Sequence, residues 1–194
     1  MSLPYLSGKE ILDAIAAKEL EITPFDPEQV AQGSVDLHLG PNLYVAESTC
    51  EPLDIRKPDE VFRPLTMDSK GFLLKPYMFA LGCTIERVRS THDLKVFGKS
   101  SPARKSINVE AAGRVESGFH GPITLELFSI LPIWIYPGVP ICQIEVCRLQ
   151  GTRQESYAVR GHYTDANASA DPWPQLSRAH LQKMRHYKDP SSCG

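Results

Sequence analysis

Apolar and polar residues alternate over several short stretches in the middle of this chain. Residues 35–39, 79–85 and 123–127 each place apolar side chains at every second position. A period of two matches a β-strand, in which successive side chains point to opposite faces of the sheet. In the last stretch Thr124 and Glu126 occupy the polar positions. We therefore expect both side chains on one face of a strand, opposite a buried apolar face.

A helix is predicted close to the N-terminus. Ser7 and Glu10 have the spacing of a capping box, in which each side chain accepts a hydrogen bond from the other residue's backbone N–H. An apolar stripe follows at Ile11, Leu12, Ile15 and Leu20. The prolines within residues 23–27 end this helix. A second, short helix is predicted over residues 177–188, before Pro190.

Many short strands separated by turn residues predict a mostly β fold. The 194 residues include 16 prolines and 13 glycines, and they contain no internal repeat. Such a pattern is typical of a distorted β-barrel or a double-sheet jelly roll. A chain of this length is expected to form a single domain, here residues 1–194. Within it, residues 151–194 are more polar and form a C-terminal segment of different character.

Composition argues against several classes of function. The net charge of -2 is unlike that of nucleic-acid-binding proteins, which are strongly basic. No apolar run reaches the length of a membrane span and no leader sequence is recognisable, so we expect a cytoplasmic protein without membrane contact. The five cysteines lack paired spacing, which favours free thiols. The His-x-Glu and Pro-Cys-x-x-Cys motifs of zinc deaminases are absent from the sequence, so no zinc is expected.

Two polar motifs contain the most informative chemistry, residues 98–104 (GKSSPAR) and 112–127 (AGRVESGFHGPITLEL). Their hydroxyls, guanidiniums, carboxylates and glycines suit a polyphosphate and a heterocycle better than a core. The first motif is expected in a strand context, and the alternative to a phosphate-binding role is a β-turn with exposed serines. Arg114 either balances charge in a pocket or forms a surface ion pair. Asp36 and His38 share a strand face and are expected to pair with each other.

Both motifs resemble the dCTP deaminase branch of the dCTP deaminase/dUTPase family. That family's pattern is Gly-Arg-Ser-Ser-x-x-Arg, then Thr-Ala-x-x-Ile-Asp-x-Gly-Phe-x-Gly-x-Ile-Thr-Leu-Glu-Leu. Residues 33–40 resemble the family's early strand, residues 71–76 with 79–86 its middle hairpin, and residues 136–144 its late turn and strand. The resemblance implies a dUTPase-like fold and a homotrimer with sites between subunits. It also implies metal-free hydrolytic deamination of dCTP to dUTP and ammonia, with Mg²⁺ bound only through the triphosphate.

The resemblance further assigns roles to individual residues. Glu126 matches the family's catalytic carboxylate, which takes a proton from the water that attacks C4 and then returns it. Ser100 would position that water or the exocyclic amine, and Arg104 would bind a phosphate oxygen. The substrate-binding candidates are Lys99, Ser101, Arg114, Glu116, Thr124, Tyr157 and His162. The last two lie in the C-terminal segment, which in the family closes over the triphosphate.

Some positions depart from the family pattern. Lys99 replaces an arginine and loses its two-pronged hydrogen bonding, and Glu110 stands where the deaminases usually have a histidine. Glu116 replaces an aspartate that binds the deoxyribose 3′-hydroxyl or, in dUTPases, activates a water molecule. Two alternatives therefore stay open. One is dUTP or dCTP diphosphatase activity, alone or combined with deamination, and the other is a nucleotide-binding relative without catalysis.

Overall fold

The computed structural model describes residues 5–47, 52–53, 62–109 and 112–148, and this part of the chain is mostly β. In chain order the elements are α1 (Gly8–Ala16), β1 (Leu20–Thr23), a 3-10 turn (Pro27–Gln29), β2 (Val35–Ala46), β3 (Phe62–Thr66), β4 (Phe72–Leu74), β5 (Phe79–Ser90), β6 (Asp93–Gly98), α2 (Ser100–Ala103), β7 (Ile107–Asn108), β8 (Arg114–Val115), β9 (His120–Ser129), β10 (Ile133–Ile135) and β11 (Pro140–Cys147). The predicted C-terminal helix lies outside the described residues.

Helix α1 begins with the predicted capping box. The Ser7 side chain accepts a hydrogen bond from the backbone N–H of Glu10, and the Glu10 carboxylate accepts one from the backbone N–H of Ser7. Ile11 faces the core and is fully buried. The prediction that Leu20 belongs to the helical stripe is wrong, because the backbone at Lys18 turns to a φ of 59° and ends the helix first. Leu20 instead begins β1, where it is also fully buried.

The main sheet is antiparallel and has the strand order β7-β9-β5-β2-β11-β6-β8, with β1 added on β5 and β3 on β2. Its two ends approach one short segment. The carbonyl of Val109 accepts a hydrogen bond from Glu126 in β9 at 3.2 Å, and the carbonyl of Gly113 accepts one from Val96 in β6 at 2.7 Å. Because Val109 and Gly113 contact strands near opposite ends of this order, the sheet curls into part of a barrel. The predicted mostly β, barrel-like fold is therefore confirmed.

The core fills the concave side of this sheet. Leu37 and Leu39 of β2, Leu125 and Leu127 of β9 and Ile144 of β11 are all fully buried. Each fully buried side chain of this size contributes about 1.5–3 kcal/mol to folding, so the alternating strands hold the sheet together. Cys83 and Cys142 are buried free thiols, as the sequence predicts. Among the described residues, no helix is long and apolar enough to cross a membrane.

Residues 71–76 and 79–86 do not pair with each other as the expected middle hairpin. β4 pairs with β10 through Leu74 and Ile133, whereas β5 pairs with β1, β2 and β9. The connecting turn explains the difference. Tyr77 has a φ of 61°, and its backbone N–H donates to the carbonyl of Ser129 at 2.9 Å. This contact directs the turn toward the end of β9, so β4 leaves the main sheet and forms a separate two-stranded sheet.

Candidate functional site

Strand β9 positions Glu126 and Thr124 as the alternation predicts. Ile123, Leu125 and Leu127 are buried, whereas Thr124 and Glu126 lie half-buried on the opposite face. The Glu126 carboxylate accepts a hydrogen bond of 3.5 Å from the backbone N–H of Ala112. The carboxylate is therefore oriented toward the backbone of Ala112. A half-buried, oriented carboxylate suits proton transfer to a bound ligand.

The residues of the first motif lie on helix α2, directly after β6. The strand context expected for this motif is wrong, as is the alternative of a plain β-turn: Ser100–Ala103 form one helical turn. The backbone N–H of Ala103 donates to the backbone carbonyl of Lys99, and that of Arg104 donates to the carbonyl of Ser100, each at 3.0 Å. Pro102 is tolerated because the first helical turn has no internal acceptor for its missing N–H.

Ser100 and Ser101 are exposed on α2, and Arg104 is exposed directly after it. Within the described ranges, the Arg104 guanidinium has no ion-pair partner and the two serine hydroxyls have no hydrogen bond. Two hydroxyl donors and a free guanidinium on one short turn can surround a phosphate group. This arrangement agrees with the predicted contacts to a triphosphate.

Lys99 is engaged differently from its neighbours, because its ammonium group contacts the Asp36 carboxylate. The predicted pairing of Asp36 with His38 is therefore wrong. His38 Nδ1 instead lies 2.5 Å from Oε1 of Glu86, and the backbone N–H of His38 donates to Oε2 of the same carboxylate at 2.9 Å. Asp36 and His38 are at alternate strand positions, so their side chains point the same way, but each pairs with a residue distant in the sequence.

A cavity of about 590 Å³ lies beside the Lys99–Asp36 pair. Its lining includes Asp36, His38 and Glu86, together with the apolar side chains of Phe25 and Ile85. The Gln29 amide donates to Glu86 Oε1 at 2.9 Å and to the carbonyl of Asp36 at 2.9 Å. The cavity wall is thus a connected polar network, and the Lys99–Asp36 pair links it to the first motif.

Arg114 and Glu116 lie beside the other end of β6, where Arg114 pairs with Lys95. Arg114 Nη2 donates to Asp93 Oδ2 at 2.9 Å, an ion pair between an exposed guanidinium and a buried carboxylate, which differs from the simple surface ion pair among the predicted alternatives. Glu116 is exposed. Its backbone carbonyl accepts from Phe119 at 3.1 Å, which closes a turn with Gly118 at a φ of 87°. This φ requires the glycine of the Ser-Gly-Phe motif.

The two groups of predicted site residues occupy opposite ends of β6. Gly98, next to the α2 group, pairs with Cys142, whereas Leu94 pairs with Val115 in β8. Four residues of extended strand separate these positions, or about 13 Å. Glu126 contacts the backbone N–H of Ala112, and the next residue, Gly113, accepts a hydrogen bond from Val96 in the middle of β6. One chain therefore holds Glu116 and α2 at opposite ends of β6, and Glu126 contacts the segment between them.

Sequence inspection did not single out two buried carboxylates, Glu86 and Asp93. Both are at most 5 % exposed and accept several hydrogen bonds. A signal for Glu86 was present, since it shares the buried register of Val88 and Ser90 on β5, where an uncharged residue is the norm. Three other positions, Glu110, Tyr157 and His162, lie outside the described residues.

Comparisons with known proteins agree with this fold. A family model described as dCTP deaminase-like matches residues 5–149. The dUMP-forming dCTP deaminase of Persephonella marina is 36% identical over 164 residues, covering 81% of this chain and 90% of that protein. The protein of the same description from a Sulfurihydrogenibium species is 36% identical over 165 residues, with the same coverage.

A solved structure of 2′-deoxycytidine 5′-triphosphate deaminase from Agrobacterium tumefaciens is also similar, with a TM-score of 0.59. It is 20% identical and the match covers 85% of this chain, but the chain spans only 55% of that structure's length. At this identity the likeness bears on the fold alone. The fold is dUTPase-like. The sequence matches then specify the group within it: this chain belongs to the dCTP deaminase-like family.

Proposed function

We propose that this protein removes the 4-amino group of dCTP by hydrolysis. The observation that carries the proposal is the position of Glu126, a half-buried carboxylate on the polar face of β9, oriented by the N–H of Ala112. It occurs in a chain that belongs to the dCTP deaminase-like family. A carboxylate held in this way can act as general base and then as general acid on one substrate.

The reaction needs water, a proton shuttle and a phosphate anchor. Water attacks C4, and Glu126 takes its proton and delivers it to N3. Glu126 then moves the proton of the new C4 hydroxyl to the amino group, and ammonia leaves as the C4 carbonyl forms. Ser100 positions the water or the amine, while Ser101 and Arg104 hold the Mg²⁺-bound triphosphate. Lys99 reaches a phosphate only by releasing Asp36, which makes it the weaker contact. Thr124 borders the base beside Glu126.

We also propose that the active site lies between subunits of a homotrimer. The support is the separation of α2 from Arg114 and Glu116 along β6. Because of this separation, the proposed phosphate ligands of one chain do not lie beside its other proposed substrate contacts. A second copy can supply α2 where the first supplies Glu126. Tyr157 and His162 are proposed to close over the triphosphate. The unpaired cysteine spacing favours the cytoplasm as the compartment.

A second candidate concerns the product. The relatives named above are described as dUMP-forming, whereas the sequence motifs predicted dUTP. Formation of dUMP adds a second hydrolysis, in which water attacks the α-phosphorus and pyrophosphate leaves. Glu116 is exposed on a fixed turn and is the candidate base for that water. The combined activity was among the alternatives left open by the sequence.

Incubation of the full chain with each deoxynucleoside triphosphate and Mg²⁺ tests both proposals. We expect ammonia from dCTP, with chromatography separating dUTP from dUMP and pyrophosphate. Glu126→Gln keeps the shape of the side chain but removes the base, so turnover should disappear while dCTP still binds. Glu116→Gln should stop dUMP formation and leave deamination intact. Failure of the wild type to release ammonia or pyrophosphate from any of the nucleotides would contradict the proposal.

A further inference from the structure

A buried carboxylate holds the exposed residues of the second motif. Asp93 is 5 % exposed and uses both oxygens. Oδ1 accepts from the backbone N–H of Ser117 at 3.0 Å, and Oδ2 accepts from Nη2 of Arg114 at 2.9 Å. These two contacts lie on either side of Glu116. Through Arg114 and Ser117, Asp93 therefore fixes the position of the segment on both sides of Glu116.

The Arg114 side chain supplies hydrogen-bond donors, and the Glu116 side chain supplies acceptors. Arg114 and Glu116 are exposed and the intervening Val115 is half-buried, so both point to the same side of an extended segment. A guanidinium and a carboxylate two positions apart on one face attract each other. In the described part of the chain Arg114 pairs with Asp93 instead. This pairing keeps Arg114 away from Glu116 and leaves the Glu116 carboxylate available to a ligand.

The charge of Asp93 is difficult to explain by stability alone. An uncharged side chain of the same shape can accept the hydrogen bond from Ser117, whereas a buried carboxylate must be desolvated. The charge strengthens the contact with Arg114, and Arg114 has two thirds of its side chain exposed, where ion pairs stabilise folds weakly. What the ion pair does is fix one edge of the guanidinium and leave its other N–H groups directed outward.

We infer that Asp93 is a positioning residue for nucleotide binding, acting through Arg114 and the Glu116 turn. The inference rests on the proposed function, because it takes a deoxynucleoside triphosphate as the ligand of this pair. Loss of the Asp93 charge frees Arg114 to pair with Glu116, which removes a donor and an acceptor from the ligand together. Asp93 itself does not touch the nucleotide.

A double-mutant cycle on dCTP affinity tests the inference. The measurement is equilibrium binding of Mg²⁺-dCTP to Glu126→Gln protein, which cannot turn the ligand over. In this background Asp93→Asn should weaken binding by about tenfold or more. With Arg114→Gln already present, the same change should have less than about a twofold effect, because the group through which Asp93 acts is gone. A purely structural role predicts equal losses in both backgrounds, which would overturn the inference.

A matched control comes from the pair formed by Arg89 and Glu21, whose length of 2.8 Å is comparable. Glu21→Gln breaks this pair between β1 and β5 and should leave dCTP affinity unchanged. If Asp93→Asn fails to fold, Arg114→Gln decides the question, since its side chain is largely exposed and unaltered affinity in that variant refutes the inference. Absence of dCTP binding with Asp93 intact would instead contradict the proposed function, and the inference with it.

Discussion

The arginines of this chain differ in whether they have a partner. Arg89, Arg114 and Arg148 each contact a carboxylate at 2.8–3.2 Å. Arg104 is exposed directly after α2 and, among the residues that the structure describes, has no carboxylate partner. Holding an unpaired guanidinium on a rigid turn offers no gain in stability. It does provide a ready site for an anion, because no existing ion pair has to be broken first.

Arg104→Ala should therefore weaken the binding of Mg²⁺-dCTP by about tenfold or more, equivalent to about 1.4 kcal/mol, without lowering the melting temperature. Equilibrium binding and thermal unfolding of the same preparation check both statements. Arg89→Ala is the matched control, since it removes an exposed arginine that pairs with Glu21 between β5 and β1. Equal affinity of Arg104→Ala and the wild type would assign α2 a structural role only.

At the scale of elements, helix α1 owes its start to local chemistry. The capping box of Ser7 and Glu10 satisfies N–H groups that have no partner within the first turn. Ser7→Ala should lower the free energy of unfolding by about 1 kcal/mol, measured by urea denaturation at pH 7. Ser7→Thr retains a hydroxyl at the cap and should restore most of the difference. If Ser7→Ala and Ser7→Thr unfold at the same urea concentration, the cap is not what stabilises this helix.

The Glu10 half of the capping box has a predictable pH dependence. Hydrogen bonds from the backbone and side chain of Ser7 hold the pKa of Glu10 below its ordinary value of 4.5. A carboxyl group whose pKa is lowered on folding stabilises the folded state above its unfolded pKa. That contribution is present above about pH 4.5 and disappears as the pH falls through the lower, folded-state pKa. Glu10→Ala should therefore unfold more easily than the wild type at pH 7, with the difference shrinking in acid.

At the scale of the whole molecule, the separation of α2 from Arg114 and Glu116 along β6 is the basis for predicting shared active sites. Glu126→Gln and Arg104→Ala are each expected to be inactive or weak alone. If one subunit supplies Glu126 and another supplies α2, mixed trimers contain intact sites, about a quarter of the total on random mixing. Activity should thus reappear after the two variants are unfolded and refolded together. Sedimentation of the wild type as a monomer at micromolar concentration, or no recovered activity in the mixture, would contradict this assembly.

The sequence by itself determined the local features of this protein. The alternation at residues 123–127 places Glu126 and Thr124 on the polar face of β9, and the capping box starts α1 where expected. These features follow from the repeat of the backbone, two residues for a strand and 3.6 for a helix. They involve neighbours a few positions apart, so they are visible without knowledge of the fold. The family resemblance added the expected roles of the polar residues.

Only the tertiary structure decided which distant residues meet. Lys99 pairs with Asp36, His38 with Glu86, and β4 with β10, and none of these pairs was predicted. The partners are 48 positions apart in the His38–Glu86 pair, 63 in the Lys99–Asp36 pair and 59–63 in the pairing of β10 with β4. No local period connects residues this far apart. Their pairing depends on strand order, which is set by the burial of all apolar faces at once. The same order separates α2 from Glu116 along β6, a division that the linear motifs, only about ten residues apart, do not reveal.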